Sequence, residues 1–177
     1  KKFHFIECTG VLHHMKDPVK GLKILNQCLL PGGIMKIGLY SKIGRTELNK
    51  LKTKMNIDLN IDEQKKLISI REEIIKNNDE NLPSFLMSID FFSLSGFKDY
   101  LLNVHENQYC IIDVIKILKK LNFEFCGFEF PNSKQIIKEI KIRNPKFDEK
   151  KLEDWNDYEI KYPSFFSKMY QFWCQKL

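Results

Sequence analysis

Along the first forty residues the hydrophobic positions switch between two periodicities, and turn chemistry marks each change-over. Phe3 to Cys8 is a short, nearly continuous apolar and aromatic run closed by Thr9-Gly10, which predicts a strand covered on both faces in a parallel sheet. Asp17-Pro18 predicts a helix start, because the Asp side chain accepts from orphan N–H groups and proline at the first helical position loses no hydrogen bond. Leu22, Leu25 and Leu29 then recur at spacings of three and four, one apolar stripe for packing on a sheet. Leu30-Pro31-Gly32-Gly33 ends it: proline presets φ at the second turn position and glycine takes positive φ at the third. A type II turn of this kind delivers the chain into Ile34 to Tyr40 as the next strand. Strand, loop, helix, turn and strand together read as the later half of an α/β domain.

The texture changes after Ser41. Up to Tyr100 the pattern is lysine-rich and helical with no strand signal, so residues 42–100 are expected as a helical insertion within one domain of residues 1–177. Asn60 and Glu63 have the spacing of a capping box, and Leu67, Ile70 and Ile74 carry a helix to about Lys76. Asn77 to Asn81 and then Pro83 end it. An insertion directly after a sheet strand is either a cap over the carboxyl edge of the sheet, where open α/β folds bind ligands, or packing decoration; both remain open.

Ile111, Val114, Leu118 and Leu121 define a further amphipathic helix, with Asn122 placed for a left-handed C-terminal cap. Phe123 to Phe130 follows as a strand whose aromatics fall out of step across Cys126-Gly127, which predicts a bulge at Gly127. Met169 to Gln175 reads as a last strand.

Composition narrows the class. With 43% hydrophobic and 29% charged residues over 177 positions, the chain suits one core of ordinary size. No apolar run approaches the roughly 20 residues of a membrane span, and Lys1-Lys2 leads into a strand rather than a signal peptide. The net charge of +6 comes from dispersed lysines without an arginine cluster, a solvated surface rather than a nucleic-acid footprint. Five scattered cysteines without a C-x-x-C pair fit reduced thiols in a cytoplasmic protein. His13, His14 and His105 with Cys8 make a poor metal set, because adjacent histidines on one loop rarely turn both rings to one ion.

Three stretches carry a family likeness: Gly10-Val11-Leu12-His13-His14-Met15-Lys16-Asp17-Pro18, the Leu30-Pro31-Gly32-Gly33 turn, and Ile37-Gly38-Leu39-Tyr40-Ser41. Together with Val104 to Tyr109 and the ending Met169 to Lys176, they resemble the class I S-adenosylmethionine-dependent methyltransferases, in particular a bacterial group of methyltransferase domains. The resemblance implies a partial Rossmann-like α/β sheet, strands four to seven, with the last strand antiparallel beside the fifth. It also implies an N-terminal half of the same domain outside this sequence, holding the Gly-rich loop and the acidic residue for the ribose; no G-x-G-x-G is present here. The 177 residues alone are then a fragment expected to be inactive.

The site residues implied by the resemblance fall in three groups. Cys8, Thr9, Gly10 and Val11, at the end of the fourth strand, would border the methionyl end of S-adenosylmethionine. His13 and His14 are the nearest candidates for a base or for orienting the acceptor, with helix capping or packing as the other possibility. Tyr40, Arg45, His105, Glu106 and Tyr109 would face an unknown methyl acceptor, unless they serve buried hydrogen bonding. Gly44, Cys110 and His4 stand where the family more often has alanine, threonine and aspartate. The alternative function is a non-catalytic binding module that keeps the half-fold.

Overall fold

A single strand, β2 (Leu29–Ser41), organises the sheet. It pairs in parallel with β1 (Phe3–Cys8) and antiparallel with β5 (Met169–Lys176), which pairs in turn with β4 (Phe123–Phe128). The order is β1-β2-β5-β4, with a two-residue β3 (Gln108–Tyr109) running parallel to the end of β2 at Tyr40 and Ser41. The computed structural model describes residues 1–54, 64–76, 89–101, 106–166 and 169–177. These form two compact units, Lys1–Gly44 with Asn107–Leu177, and Arg45–Glu106.

In the first unit the cross-strand register sorts the residues by face. Met35, Ile37 and Leu39 stand beside Cys174, Phe172 and Tyr170, and none of the six exceeds 1% exposure. On this face pack α1 (Pro18–Cys28), α6 (Ile111–Leu121) and α8 (Leu152–Lys161), through Leu22, Val114, Leu118 and Trp155. Trp155 is the hub: fully buried, it lies edge-on to Phe128 and Phe147, and its indole N–H donates to the Glu149 carbonyl at 2.9 Å. Between α6 and α8 in sequence, α7 (Ser133–Arg143) follows β4.

Several local expectations hold for stated reasons. Asp17 caps α1 by accepting from the Lys20 N–H at 2.9 Å, with Pro18 at the first helical position. Asn122 ends α6 at φ 58, where it donates its backbone N–H to Leu118 and Lys119. The register of β4 shifts between Phe125 and Gly127, and Gly127 sits at φ 146, a conformation open to glycine alone among common residues. Helix α6 starts at Ile111 because the Asp113 carboxylate accepts from the Cys110 N–H at 3.0 Å, so the cysteine costs the helix little.

Other expectations need correction. Strand β1 is not covered on both faces: Phe3 and Phe5 are 46% and 49% exposed. As an edge strand it packs Ile6 and Cys8 on the core, whereas Phe5 lies on the opposite face, stacked on Trp173 at 5.6 Å. Leu29 is not the last residue of the helical stripe; it takes extended backbone and opens β2 opposite Phe3. The Pro31-Gly32-Gly33 turn is therefore absorbed into β2 as an expanded bulge, since Phe3 opposes Leu29 but Phe5 already opposes Ile34, with Gly32 at φ 72. Strand β4 stops at Phe128, and Phe130 instead packs against Trp155.

The second unit is helical: α2 (Thr46–Lys54), α3 (Gln64–Lys76), α4 (Ile89–Phe92) and α5 (Leu94–Leu101). Its core gathers Leu48, Leu67, Ile74, Phe91, Phe97 and Leu101, with the Phe91 and Phe97 rings nearly perpendicular at 5.3 Å. Helix α3 is described as far as Lys76, with Leu67 and Ile74 of its stripe buried. The Asn60–Glu63 capping box and the stop at residues 77–83 lie outside the described residues. Among the described residues no helix is long and apolar enough to cross a membrane.

Candidate functional site

Where β1 and β2 end, the chain places glycines at the points of closest approach. A Cβ on Gly38 would lie 2.8 Å from both Thr9 Cγ2 and Met169 Sδ, so the loop after β1 crosses β2 against bare backbone. Gly10 sits at φ 77 with open space around it, and Val11 is 53% exposed. Cys8 is buried, which pushes its thiol up. Thr9 Oγ1 is also shielded from solvent and has no hydrogen-bonding partner among the described residues.

The turn Leu12–His14 then brings three rings together. His13 is fully buried, its Nδ1 lies 3.4 Å from the Gly38 carbonyl oxygen, and its ring is 3.8 Å from that of Tyr40. His14 is half-buried and stands edge-on to His13 at 4.2 Å and to Tyr40 at 5.8 Å. Asn107 holds this loop: its backbone N–H donates to the His13 carbonyl at 2.8 Å, and its side-chain amide donates to the carbonyls of His13 at 3.2 Å and Met15 at 2.8 Å. Two residues on, Tyr109 pairs with Ser41, and its carbonyl accepts from the Lys42 N–H at 2.8 Å. Burial pushes the Tyr109 phenol up to about 12, with the Asp113 and Asp17 carboxylates acting the same way.

Cys8, Thr9, Gly10, Val11, His13, His14, Tyr40 and Tyr109 thus belong to one unit, around the carboxyl ends of β1, β2 and β3. Arg45 and Glu106 belong to the other, where they meet each other. Arg45 Nε and Nη2 donate to the two Glu106 carboxylate oxygens at 2.5 and 2.6 Å, and the side chains are 1% and 7% exposed. Lys52 approaches the same carboxylate at 3.4 Å; its ammonium pKa is lowered by burial, against the pull of Glu106. His105 lies outside the described residues.

Sequence reasoning missed a buried polar network beside this edge. Glu159, 1% exposed, accepts from the Ser41 hydroxyl at 2.8 Å and from the Tyr170 hydroxyl at 2.8 Å on each oxygen. Ser41 Oγ in turn accepts from the Gly44 N–H at 2.9 Å. Burial pushes the Glu159 carboxyl up, partly offset by the Ser41 and Tyr170 bonds. The only signal in the sequence was an acidic residue on an aromatic-rich helix. Asn107 lay within view, between Glu106 and Gln108, but its amide has no pattern of its own. Among the described residues no group of three or more His, Cys, Asp or Glu side chains could hold a metal ion.

An antiparallel last strand inserted between β2 and β4, with the ring-bearing loop at the parallel end, defines a Rossmann-like α/β fold. Solved structures of PKMT2 from Rickettsia typhi share it: one matches with a TM-score of 0.58 at 17% identity, over 98% of this chain and 35% of that one. A second, in complex with AdoHcy, matches with a TM-score of 0.58 at 18% identity and the same coverage. An uncharacterized protein of Synechococcus sp. is 48% identical over 50 residues, which are 28% of this chain and 12% of that protein. The chain therefore spans about a third of the solved structures it matches and about an eighth of the curated relative. No family model matches.

Proposed function

We propose that this chain is the later part of a methyltransferase domain that uses S-adenosylmethionine, within a longer protein. The observation that supports it most is the strand order β1-β2-β5-β4 with β5 antiparallel, seen together with a glycine-lined loop at the carboxyl end of β1. The residues present fit the cofactor. Thr9 Oγ1 is a shielded hydroxyl lacking a partner, and Gly10 allows backbone approach that a side chain would block. Cys8 and Val11 complete this border.

When bound, the cofactor supplies a methyl group on a sulfonium for in-line displacement. The protein's share is alignment of the acceptor and, where needed, removal of its proton. His14, half-buried and on the open side of the three-ring cluster, is the group suited to take that proton. His13, buried between His14 and Tyr40, acts as a positioning residue. Tyr40 and Tyr109 border the acceptor side. The Gly-rich loop and the ribose carboxylate come from segments outside these residues.

Calorimetric titration of S-adenosylmethionine into the full-length protein and into residues 1–177 tests this. Binding to the full-length protein, at least about tenfold weaker in the 177-residue chain and in a full-length Gly10→Val variant, is expected. Absence of binding to the full-length protein overturns the methyl-transfer reading in favour of a binding module. Equal affinity of the two chains overturns the claim that the decisive contacts lie elsewhere in the protein.

A further inference from the structure

Helices α7 and α8 leave a cavity of about 300 Å³ between them that shares no residue with the histidine loop. That volume is at the lower end for small-molecule sites. Its floor is apolar and aromatic: Ile140 and Phe147 are buried, and the Tyr158 and Tyr162 rings stand 4.7 Å apart.

The walls repeat one charge pattern. Glu139 precedes Arg143 by four residues on α7, and Asp157 precedes Lys161 by four on α8. At that spacing two side chains on a helix are near neighbours, about 6 Å apart at Cβ. The Lys161 ammonium lies over the Tyr162 ring at 5.4 Å. Glu139 accepts from the Gln135 amide at 3.1 Å, and Arg143 has no hydrogen-bonding or ion-pair partner among the described residues. Both act on one hydroxyl: burial pushes the Tyr158 phenol up first, Tyr162 and Glu139 add to it, and Arg143 opposes it.

The cavity thus presents cations and anions close together above an aromatic floor, and of these Arg143 and Glu139 face each other along α7 at i,i+4 spacing. A simple anion would meet Glu139, a simple cation would meet Arg143, and a neutral apolar molecule would strip water from both without replacing it. A zwitterion with both charges on one carbon and a ring attached satisfies all three surfaces. We propose that the α7–α8 cavity binds a free α-amino acid with an aromatic side chain, its carboxylate on Arg143, its ammonium on Glu139 and its ring over Tyr158 and Tyr162. This site stands independently of the methyl-transfer reading.

Amide chemical shifts of the full-length protein, followed during titration with L-phenylalanine to about 10 mM, provide the test, since that concentration fills a site of millimolar affinity. The expected result is saturable shifts confined to α7, α8 and their connection, with affinity reduced about tenfold in Arg143→Gln and in Glu139→Gln. Both positions are exposed on helices, so the variants keep the fold, which the undisturbed remainder of the spectrum verifies. Phenethylamine and 3-phenylpropionate, each lacking one charge, are expected to bind more weakly than the amino acid. Absence of shifts, shifts centred elsewhere, equal binding of either one-charge analogue, or affinity indifferent to both substitutions overturns the proposal.

Discussion

The hydroxyl of Tyr170 on β5 donates to both carboxylate oxygens of Glu159 on α8, at 2.8 Å each, in the interior of the sheet unit. Because burial raises the Glu159 carboxyl above the ordinary 4.5, the folded chain keeps this proton to higher pH than the unfolded chain. Its contribution to stability is therefore complete below the ordinary carboxylate range and declines as pH rises through the raised value. Urea midpoints measured across that window are expected to fall with rising pH, and Glu159→Gln is expected to flatten the slope. Glu159→Leu, which leaves the Ser41 and Tyr170 hydroxyls without their acceptor, is expected to cost about 2 to 4 kcal/mol.

Gly38→Ala tests the crossing of the β1 loop over β2. The new methyl would meet Met169 Sδ and Thr9 Cγ2 at 2.8 Å and the Thr9 Cα at 3.2 Å; the methionine can swing away but the Thr9 backbone cannot. A loss of about 1 to 3 kcal/mol by chemical denaturation is expected, with amide shifts spreading to His13, whose ring faces the Gly38 carbonyl.

Arg45→Met takes the two-pronged contact from a carboxylate that is 7% exposed, with Lys52 still at 3.4 Å. The helical unit is expected to lose about 3 to 5 kcal/mol, read as faster hydrogen exchange in α2 and α3. Arg45→Lys keeps the charge but not the two-pronged contact, and falls between. The double variant Arg45→Met with Glu106→Leu recovers part of the loss, because the buried carboxylate is gone and only the part-buried Lys52 loses its partner. A double variant no better than the single one overturns this account.

Among the described residues strand β1 has a free edge, and Phe3, Phe5 and Ile34 are all more than 40% exposed. Concentration-dependent association of the 177-residue chain is expected in sedimentation velocity, weakened by Phe5→Lys. A monomer at every concentration would show that this edge is adequately protected by its own twist and charges.

Legibility followed the range of the interactions. Helix α6 could be read almost to the residue, because Ile111, Val114, Leu118, Leu121 and the left-handed Asn122 are all set by neighbours within one turn or two. The bulge at Gly127 was readable because glycine interrupts an aromatic alternation. The face of Phe5 was not, since an apolar strand reports what it prefers and not what lies over it. Strand β3 is two residues long, too short to show a period. Arg45 and Glu106 are 61 residues apart, and Ser41 and Glu159 are 118 apart, so nothing local announces that each is the other's solvent.

Asn107 gives the histidine loop an unusual dependence. Three of its hydrogen bonds end on the carbonyls of His13 and Met15, and it is the first residue of the sheet unit after the helical one. The place where the backbone rejoins the sheet is thereby tied to the stretch bearing both rings. A shift in where the chain re-enters the sheet unit is passed, through hydrogen bonds internal to that unit, to His13, far back along the chain.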